Sequence, residues 1–268
     1  MACLKQEGCA HIEGERVDKL WIFRSDGSIF LGPISYPVGV LGGPILADVD
    51  LDGFLDIIMN SYNGDINVID RFGNPVKGWP VKWSNAYAAV AVTVGDLDLD
   101  GKVEIASVIS DSSISDVCLY VYRTDATVMS GWPVCGSATG IFFNFWGSNM
   151  TFANLDNDPE QEIAVVSSSY IGSVSLYGFY ALNHNGSVVE NFAKVKDDSI
   201  LGDTMPIGDL DNDGDNELFA YSWSGLLYIW DLSGKGGADP WPVYQHEERH
   251  SGNLNNLIKP APTPASGP

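Results

Sequence analysis

Four nine-residue acidic segments, spread along a chain of 268 residues, constrain its fold more than any other feature. They read Asp48-Val-Asp50-Leu-Asp52-Gly53-Phe54-Leu-Asp56, Asp96-Leu-Asp98-Leu-Asp100-Gly101-Lys102-Val-Glu104, Asn154-Leu-Asp156-Asn-Asp158-Pro159-Glu160-Gln-Glu162 and Asp209-Leu-Asp211-Asn-Asp213-Gly214-Asp215-Asn-Glu217. Their first residues lie 48, 58 and 55 positions apart. Repetition at that interval means that one supersecondary unit is used again and again, each copy burying the face of the last.

The surroundings repeat as well. A small apolar run precedes each acidic segment: 44–47, 90–94, 150–153 and 205–208. A β-type run follows it: Ile57 to Met59, Ile105 to Ile109, Ile163 to Val166 and Leu218 to Tyr221. A third run carries alternating aromatics: Ile66 to Ile69, Cys118 to Tyr122, Leu176 to Tyr180 and Leu227 to Trp230. Three units then close on Trp-Pro, at Trp79-Pro80, Trp132-Pro133 and Trp241-Pro242; the unit of Asn154 has Phe192 near that place. No stretch sustains a 3.6-residue period, so helix should be scarce. Four short strands per unit of roughly 40–50 residues is the pattern of a β-propeller blade. The fold class expected is therefore all-β: a propeller of four-stranded antiparallel blades, with four full repeats and one partial blade. The partial blade comes first. Lys19-Leu-Trp21-Ile-Phe23 with Asp26-Gly27 resembles a third strand and its turn, and Tyr36-Pro37-Val38 stands where Trp-Pro-Val stands later. The domain division expected is an N-terminal segment 1–18, a propeller domain 19–254 and a Pro-rich tail or linker 255–268.

Carboxylates at alternate positions 1, 3 and 5, glycine at 6 and an acid at 9 form a loop that curls around a hard cation. Calcium takes about 6–8 oxygens at roughly 2.3–2.6 Å, and a backbone carbonyl at position 7 can add one. The predicted ligands are Asp48, Asp50, Asp52 and Asp56 with the carbonyl of Phe54, and Asp96, Asp98, Asp100 and Glu104 with that of Lys102. The fourth loop supplies Asp209, Asp211, Asp213 and Glu217 with the carbonyl of Asp215. The third supplies Asn154, Asp156, Asp158 and Glu162 with position 7 at Glu160; with a neutral first position and Pro159 in place of glycine, it should hold calcium more weakly. The EF-hand is rejected, because it needs a glutamate at position 12, where this chain has Met59, Ser107, Val165 and Ala220. The successive loops place four, four, three and four acids at ligand positions, 15 of the 35 in the chain. Four calcium ions would bring the net charge from −21 to −13.

These repeats resemble the FG-GAP (VCBS-type) repeats of integrin α-subunit propellers and of prokaryotic surface proteins. The resemblance covers about residues 19 to 250. It rests on the DxDxDGxx(D/E) loops, on Gly78-Trp79-Pro80 and Gly131-Trp132-Pro133, and on the closing run from Trp241 to Gly252. The Gly-Ala-Pro tripeptide is absent and Phe-Gly occurs once, at Phe72-Gly73, so the chain is not expected to be an integrin itself. The resemblance implies calcium binding, an extracellular or cell-surface location, and adhesion or binding of a protein or glycan ligand. Family propellers often have seven blades, so this chain is either a fragment, a smaller propeller or part of an assembly that shares blades.

Charge and composition narrow the partners. A net charge of −21 repels phosphate, which argues against nucleic acid. No window of 18 apolar residues exists, so no helical membrane span is expected in this chain. The first 20 residues lack the apolar core of an export signal; either a signal was removed or the chain begins inside a larger gene product. Cys118 and Cys135 fall on runs read as neighbouring strands, where a disulfide and free thiols are both compatible. The sequons at Asn149 and Asn185 are weak signs of secretion. His246-Glu-Glu-Arg-His250 matches HExxH, yet Pro242 and Gly252 leave too little helix and no acid or histidine follows, so a zinc site is not expected. Trp21, Tyr228 and Trp230 should be blade core; Trp83, Tyr87, Phe142, Phe145 and Trp146 lie where they could stack on sugars. Residues 136–149 form an apolar insertion between units. The function expected is a non-enzymatic calcium-binding surface module. The alternatives are the scaffold of a calcium-dependent polysaccharide lyase and a self-assembling filament subunit.

Overall fold

The computed structural model describes residues 2–5, 18–36, 39–84, 86–88, 92–141, 143, 150–171, 174–190, 192, 200–201, 205–222 and 225–235. The N-terminal unit contains β1 (Ala2–Lys5), β2 (Asp18–Phe23) and β3 (Ile29–Tyr36). Unit 1 contains β4 (Val40–Ala47), β5 (Asp56–Ser61) and β6 (Ile66–Ile69). Unit 2 contains β7 (Ala86–Ala88), β8 (Thr93–Gly95), β9 (Glu104–Asp111), β10 (Asp116–Tyr122) and β11 (Val134–Cys135), followed by α1 (Gly136–Thr139), the one helix among the described residues. Unit 3 contains β12 (Met150–Ala153), β13 (Glu162–Ile171) and β14 (Val174–Asn183). Unit 4 contains β15 (Ile200–Leu201), β16 (Ile207–Gly208), β17 (Asp215–Ser222) and β18 (Leu227–Lys235). Each unit is its own small antiparallel sheet, and in units 1–4 the acidic segment joins the strand before it to the strand after it. The fold is all-β, as the periodicity predicts.

In units 1 and 3 the fourth strand is slighter than the sequence suggests. In unit 1 it is reduced to single bridges, Ile66 to Val81 and Ile69 to Pro75; in unit 3 Leu182 bridges Val188. Pro75 and Pro80 have no N–H to give to a ladder, which limits pairing there. In unit 2 the segment does form a strand, and Cys118 and Cys135 face each other across it in a disulfide. A cross-link closing a loop of that size contributes about 3 kcal/mol through chain entropy.

The central strands read as continuous apolar runs because both of their faces are covered. On β5, Ile57 and Met59 face the cluster around Leu20 and Tyr36 of the N-terminal unit, while Ile58 between them faces the main cluster shared with unit 2. On β13, Ile163 and Val165 join that main cluster, and Ala164 and Val166 join the cluster shared with Met205, Leu218 and Leu232 of unit 4. Successive sheets thus pack face to face. The strands that precede the acidic loops lie side by side, β8 between β4 and β12. The Thr93 hydroxyl donates to the Met150 carbonyl (3.4 Å) and the Thr151 hydroxyl to the Met205 carbonyl (3.2 Å). Gly95 is required where β8 meets β12: a Cβ there would lie 2.6 Å from the Phe152 ring.

The Gly-Trp-Pro motif works as a latch between units. In the N-terminal unit and units 1–3 a five-residue turn recurs, at 24–28, 70–74, 123–127 and 183–187, closed each time by the same pair of backbone bonds. Trp79 reaches forward to the turn of unit 2, its indole N–H donating to the Thr124 carbonyl at 3.0 Å. Trp132 does the same to the His184 carbonyl of unit 3, also at 3.0 Å. The glycine before each Trp has φ of 95° and 92°, and a Cβ would run into the backbone of Asp125 or Asn185. Phe192 makes the equivalent backbone bond, its N–H to the Val189 carbonyl, and is buried like the tryptophans. It fills the same core position without a donor.

Of the aromatics named above, Trp230 meets Phe179 edge-on at 5.0 Å and stacks with Tyr228, and Trp21 stacks with Phe23. Trp83 packs edge-on against Tyr120 at 5.0 Å, so its ring is a packing element, whereas Tyr87 is exposed. In the 136–149 insertion, Ile141 and Phe143 are buried in the main cluster. Phe142, Phe145, Trp146, Asn149, Pro37, Val38, the segment 241–252 with its HExxH match, and the tail 255–268 lie outside the described residues.

Candidate metal centres

Local rules build all four loops. The residue at position 2 is apolar, and in the first three loops (Val49, Leu97 and Leu155) it is buried. Its backbone N–H is held by the acid at position 9: Val49 N–H to Asp56 Oδ2 (3.0 Å), Leu97 to Glu104 Oε2 (2.9 Å), Leu155 to Glu162 Oε2 (2.7 Å), and Leu210 to Glu217 Oε2. The acid at position 5 accepts from the amide at position 7, at Phe54, Lys102, Glu160 and Asp215. The acid at position 1 accepts from the amide at position 6, at Gly53, Gly101 and Gly214. Those three glycines have φ of 87°, 83° and 96°, the left-handed region that makes glycine necessary for the turn.

The third loop solves the same problem differently. Pro159 has no N–H to give, and position 1 is an amide instead of a carboxylate. The Asn154 side-chain NH2 donates to the Asp158 carbonyl at 2.8 Å. The two departures from the repeat are one exchange: the lost donor at position 6 is replaced by a donor at position 1.

Position 4 is also left-handed, at Leu51 (60°), Leu99 (56°) and Asn212 (61°). A branched side chain is strained there, whereas Asn tolerates it. Leu51 is exposed, so nothing in the core is lost on changing it. Leu51→Asn should raise stability by about 0.5–1 kcal/mol. Urea denaturation at fixed calcium checks this; an unchanged midpoint would show that the turn is relaxed with leucine.

Each loop gathers carboxylate oxygens within 4.8 Å of one another: Asp48, Asp50 and Asp56; Asp96, Asp98 and Glu104; Asp156, Asp158 and Glu162; Asp209, Asp211 and Asp213. That spread suits calcium, because two oxygens on opposite sides of the ion at about 2.4 Å each are about 4.8 Å apart. Asp52, Asp100 and Glu217 lie outside those tight groups; Glu217 holds Leu210, and Asp100 is engaged by Lys102 at 3.0 Å. Glu162 is a further observation that fits a cation. It is fully buried, one oxygen is held by Leu155, and the other, Oε1, has no hydrogen-bond partner. An uncompensated buried carboxylate is costly unless a cation or a proton neutralises it. The donor set of hard oxygens fits calcium, and these residues would hold it; the ion would supply the charge that lets them ionise together.

Electrostatics in the metal-free chain agree. Burial, with neighbouring carboxylates adding to it, raises Asp56 to about 6, Glu104 to about 7 and Glu162 to about 8. A carboxyl raised in the folded state stabilises the fold while protonated and stops doing so as it ionises. Metal-free protein should therefore lose stability as pH rises from about 4 to about 8. Calcium needs these groups ionised, so the gap between melts with calcium and with EDTA should widen over the same range. Melts at successive pH values check it; a constant gap would mean that these carboxyls are not the ligands.

No protein-family profile matches the chain, and no curated protein does. Among solved structures, the chain is similar to the V. cholerae biofilm matrix protein Bap1, with a TM-score of 0.29 and 14% identity over 87% of this chain and 59% of that one. It is similar also to a protein of unknown function from Bacteroides caccae, with a TM-score of 0.29 and 14% identity over 84% of this chain and 90% of that one. The chain thus spans 59% of the length of the Bap1 chain. At these scores neither likeness bears on what this protein does. Among the described residues no helix is long and apolar enough to cross a membrane.

Proposed function

We propose that residues 19–254 form a calcium-stabilised β-propeller module of FG-GAP type, non-enzymatic and extracellular, which acts in cell-surface adhesion, ligand binding or assembly. The observation that carries this reading is the recurrence of one carboxylate cluster at the same inter-strand connection in four successive sheets. The face-to-face packing of the sheets and the forward latches of Trp79 and Trp132 support a blade arrangement. The Cys118–Cys135 disulfide supports an oxidising, extracellular setting. Partners would be protein or glycan ligands at the surface.

The lyase alternative calls for a cleft of His, Lys, Arg or Tyr. The histidine among the described residues, His184, lies on a turn, where its carbonyl receives Trp132. Self-assembly has a specific observation in its favour. On unit 4, Leu218 and Ala220 face inward while Tyr221, Leu227 and Ile229 are exposed, around a hollow of about 320 Å³ lined by Pro206, Phe219, Ala220, Tyr221 and Leu227.

Equilibrium dialysis against calcium, with light scattering on the same samples, tests the proposal. Three or four ions per chain are expected. A chain that takes up none would end the calcium reading, and oligomers seen only with calcium would select assembly over a free-standing module.

A further inference from the structure

We propose that Arg123 is a built-in cation for the 96–104 loop, keeping that loop assembled without metal and competing with calcium for it. This deepens the calcium reading above and rests on it. The register of the two strands that follow each acidic loop places one residue opposite position 9. In unit 3 that pair is Glu162 and Asn183, and in unit 4 it is Glu217 and Asp231. Ile57 pairs with Ile69 and Ile105 with Tyr122, so one residue further along Asp56 faces Asp70 and Glu104 faces Arg123. Units 1 and 4 therefore set a second acid beside the buried one, unit 3 sets a neutral amide there, and unit 2 sets a guanidinium.

The guanidinium occupies the cluster. Arg123 Nη2 lies 2.8 Å from Asp98 Oδ2, and Nη1 lies 3.5 Å from Glu104 Oε1 and 3.7 Å from Asp100 Oδ2. Two of those three acids are ligands of the gathered set, and Glu104 is almost fully buried. Asp96 Oδ1 and Asp98 Oδ1 are buried without a partner, so the arginine offsets part of the loop's charge without filling it. Unit 1 shows the contrast. Its nearby Arg71 pairs with Asp52 at the rim and lies over the rings of Phe54 (3.5 Å) and Phe72 (4.7 Å). In unit 3, Glu162 Oε1 has no partner. The loops are thus unequal: in the third a metal or a proton must neutralise the buried acid, while the second carries its own positive charge, which a divalent ion must displace.

The test is calorimetric titration of the full chain with calcium chloride, with paired melts in calcium and in EDTA, for wild type, Arg123→Gln and Arg123→Lys. Arg123→Gln should tighten one site by about tenfold or more, because a cation bound to the same oxygens no longer opposes the metal. Its melt should fall in EDTA, where Glu104 loses its counter-charge, and recover in calcium to the wild-type value or above. Arg123→Lys keeps the charge without the two-pronged contact and should fall between the two. A wild type that binds calcium, together with an Arg123→Gln variant whose affinities are unchanged and whose melt falls equally in both buffers, would reduce Arg123 to a structural ion pair and overturn this inference alone. A wild type that binds no calcium would overturn it together with the reading beneath it. If Arg123→Gln does not fold, Arg123→Lys with wild-type affinity overturns the competition.

Discussion

Excess EDTA should lower the melting temperature of this protein by on the order of 10–20 °C relative to millimolar calcium. The size follows from mass action. An ion bound only by the folded chain at a hundred times its dissociation constant adds about 2.7 kcal/mol per site. In a domain of this length each kcal/mol moves the midpoint by about 2–4 °C. Two or three such sites reach the stated range. The physical source is the crowding of like charges: Asp48, Asp50 and Asp56, or Asp156, Asp158 and Glu162, hold oxygens within 4.8 Å of one another. Magnesium should replace calcium poorly, since it demands a tighter octahedral shell. A scanning-calorimetry trace that is the same in both buffers would mean that the loops are solvated acidic turns, stabilised by their own amide hydrogen bonds.

Trp132→Ala should cost about 3–5 kcal/mol, and Trp132→Phe about 1 kcal/mol. The indole is buried in the main cluster and its N–H is bonded to the next unit at His184. Alanine removes both contributions; phenylalanine keeps most of the apolar contact and loses the donor. Phe192 already makes that substitution naturally in unit 3, where it is buried at the corresponding place. Urea denaturation of both variants in calcium separates the two contributions. If alanine costs no more than phenylalanine, the ring does not hold units 2 and 3 together, and the latch is incidental.

Much of this arrangement is legible in the sequence because the rules behind it are short-ranged. Acids at positions 1, 3 and 5 and glycine at 6 are read correctly as a tight turn, since the amides they engage lie two to five residues away and Gly53, Gly101 and Gly214 need a positive φ. The second role of the acid at position 9 is harder to see. Its hydrogen bond to position 2 spans seven residues and ties the end of the loop back to its start. The Pro159 and Asn154 pair looks like decay of the motif and is an exchange of donors, visible only once the Asn154 amide is seen to reach Asp158. The fourth strand of units 1 and 3 is harder to read, because an alternating run predicts extended backbone but not whether a partner receives its amides; in unit 1, Pro75 and Pro80 supply none.

What the sequence determined by itself is the unit: its length, its three apolar runs, its acidic turn and the glycines that turn requires. Each depends on backbone sterics and hydrogen bonds closed within about ten residues, so composition and spacing suffice. Only the tertiary structure decided which residue stands opposite each buried acid, Arg123 in one unit and Asn183 in another, and that Trp79 and Trp132 reach carbonyls 45 and 52 residues ahead. Those facts depend on strand register and on the stacking of one sheet against the next. A shift of one residue turns every side chain to the other face, so local pattern cannot fix them and packing must.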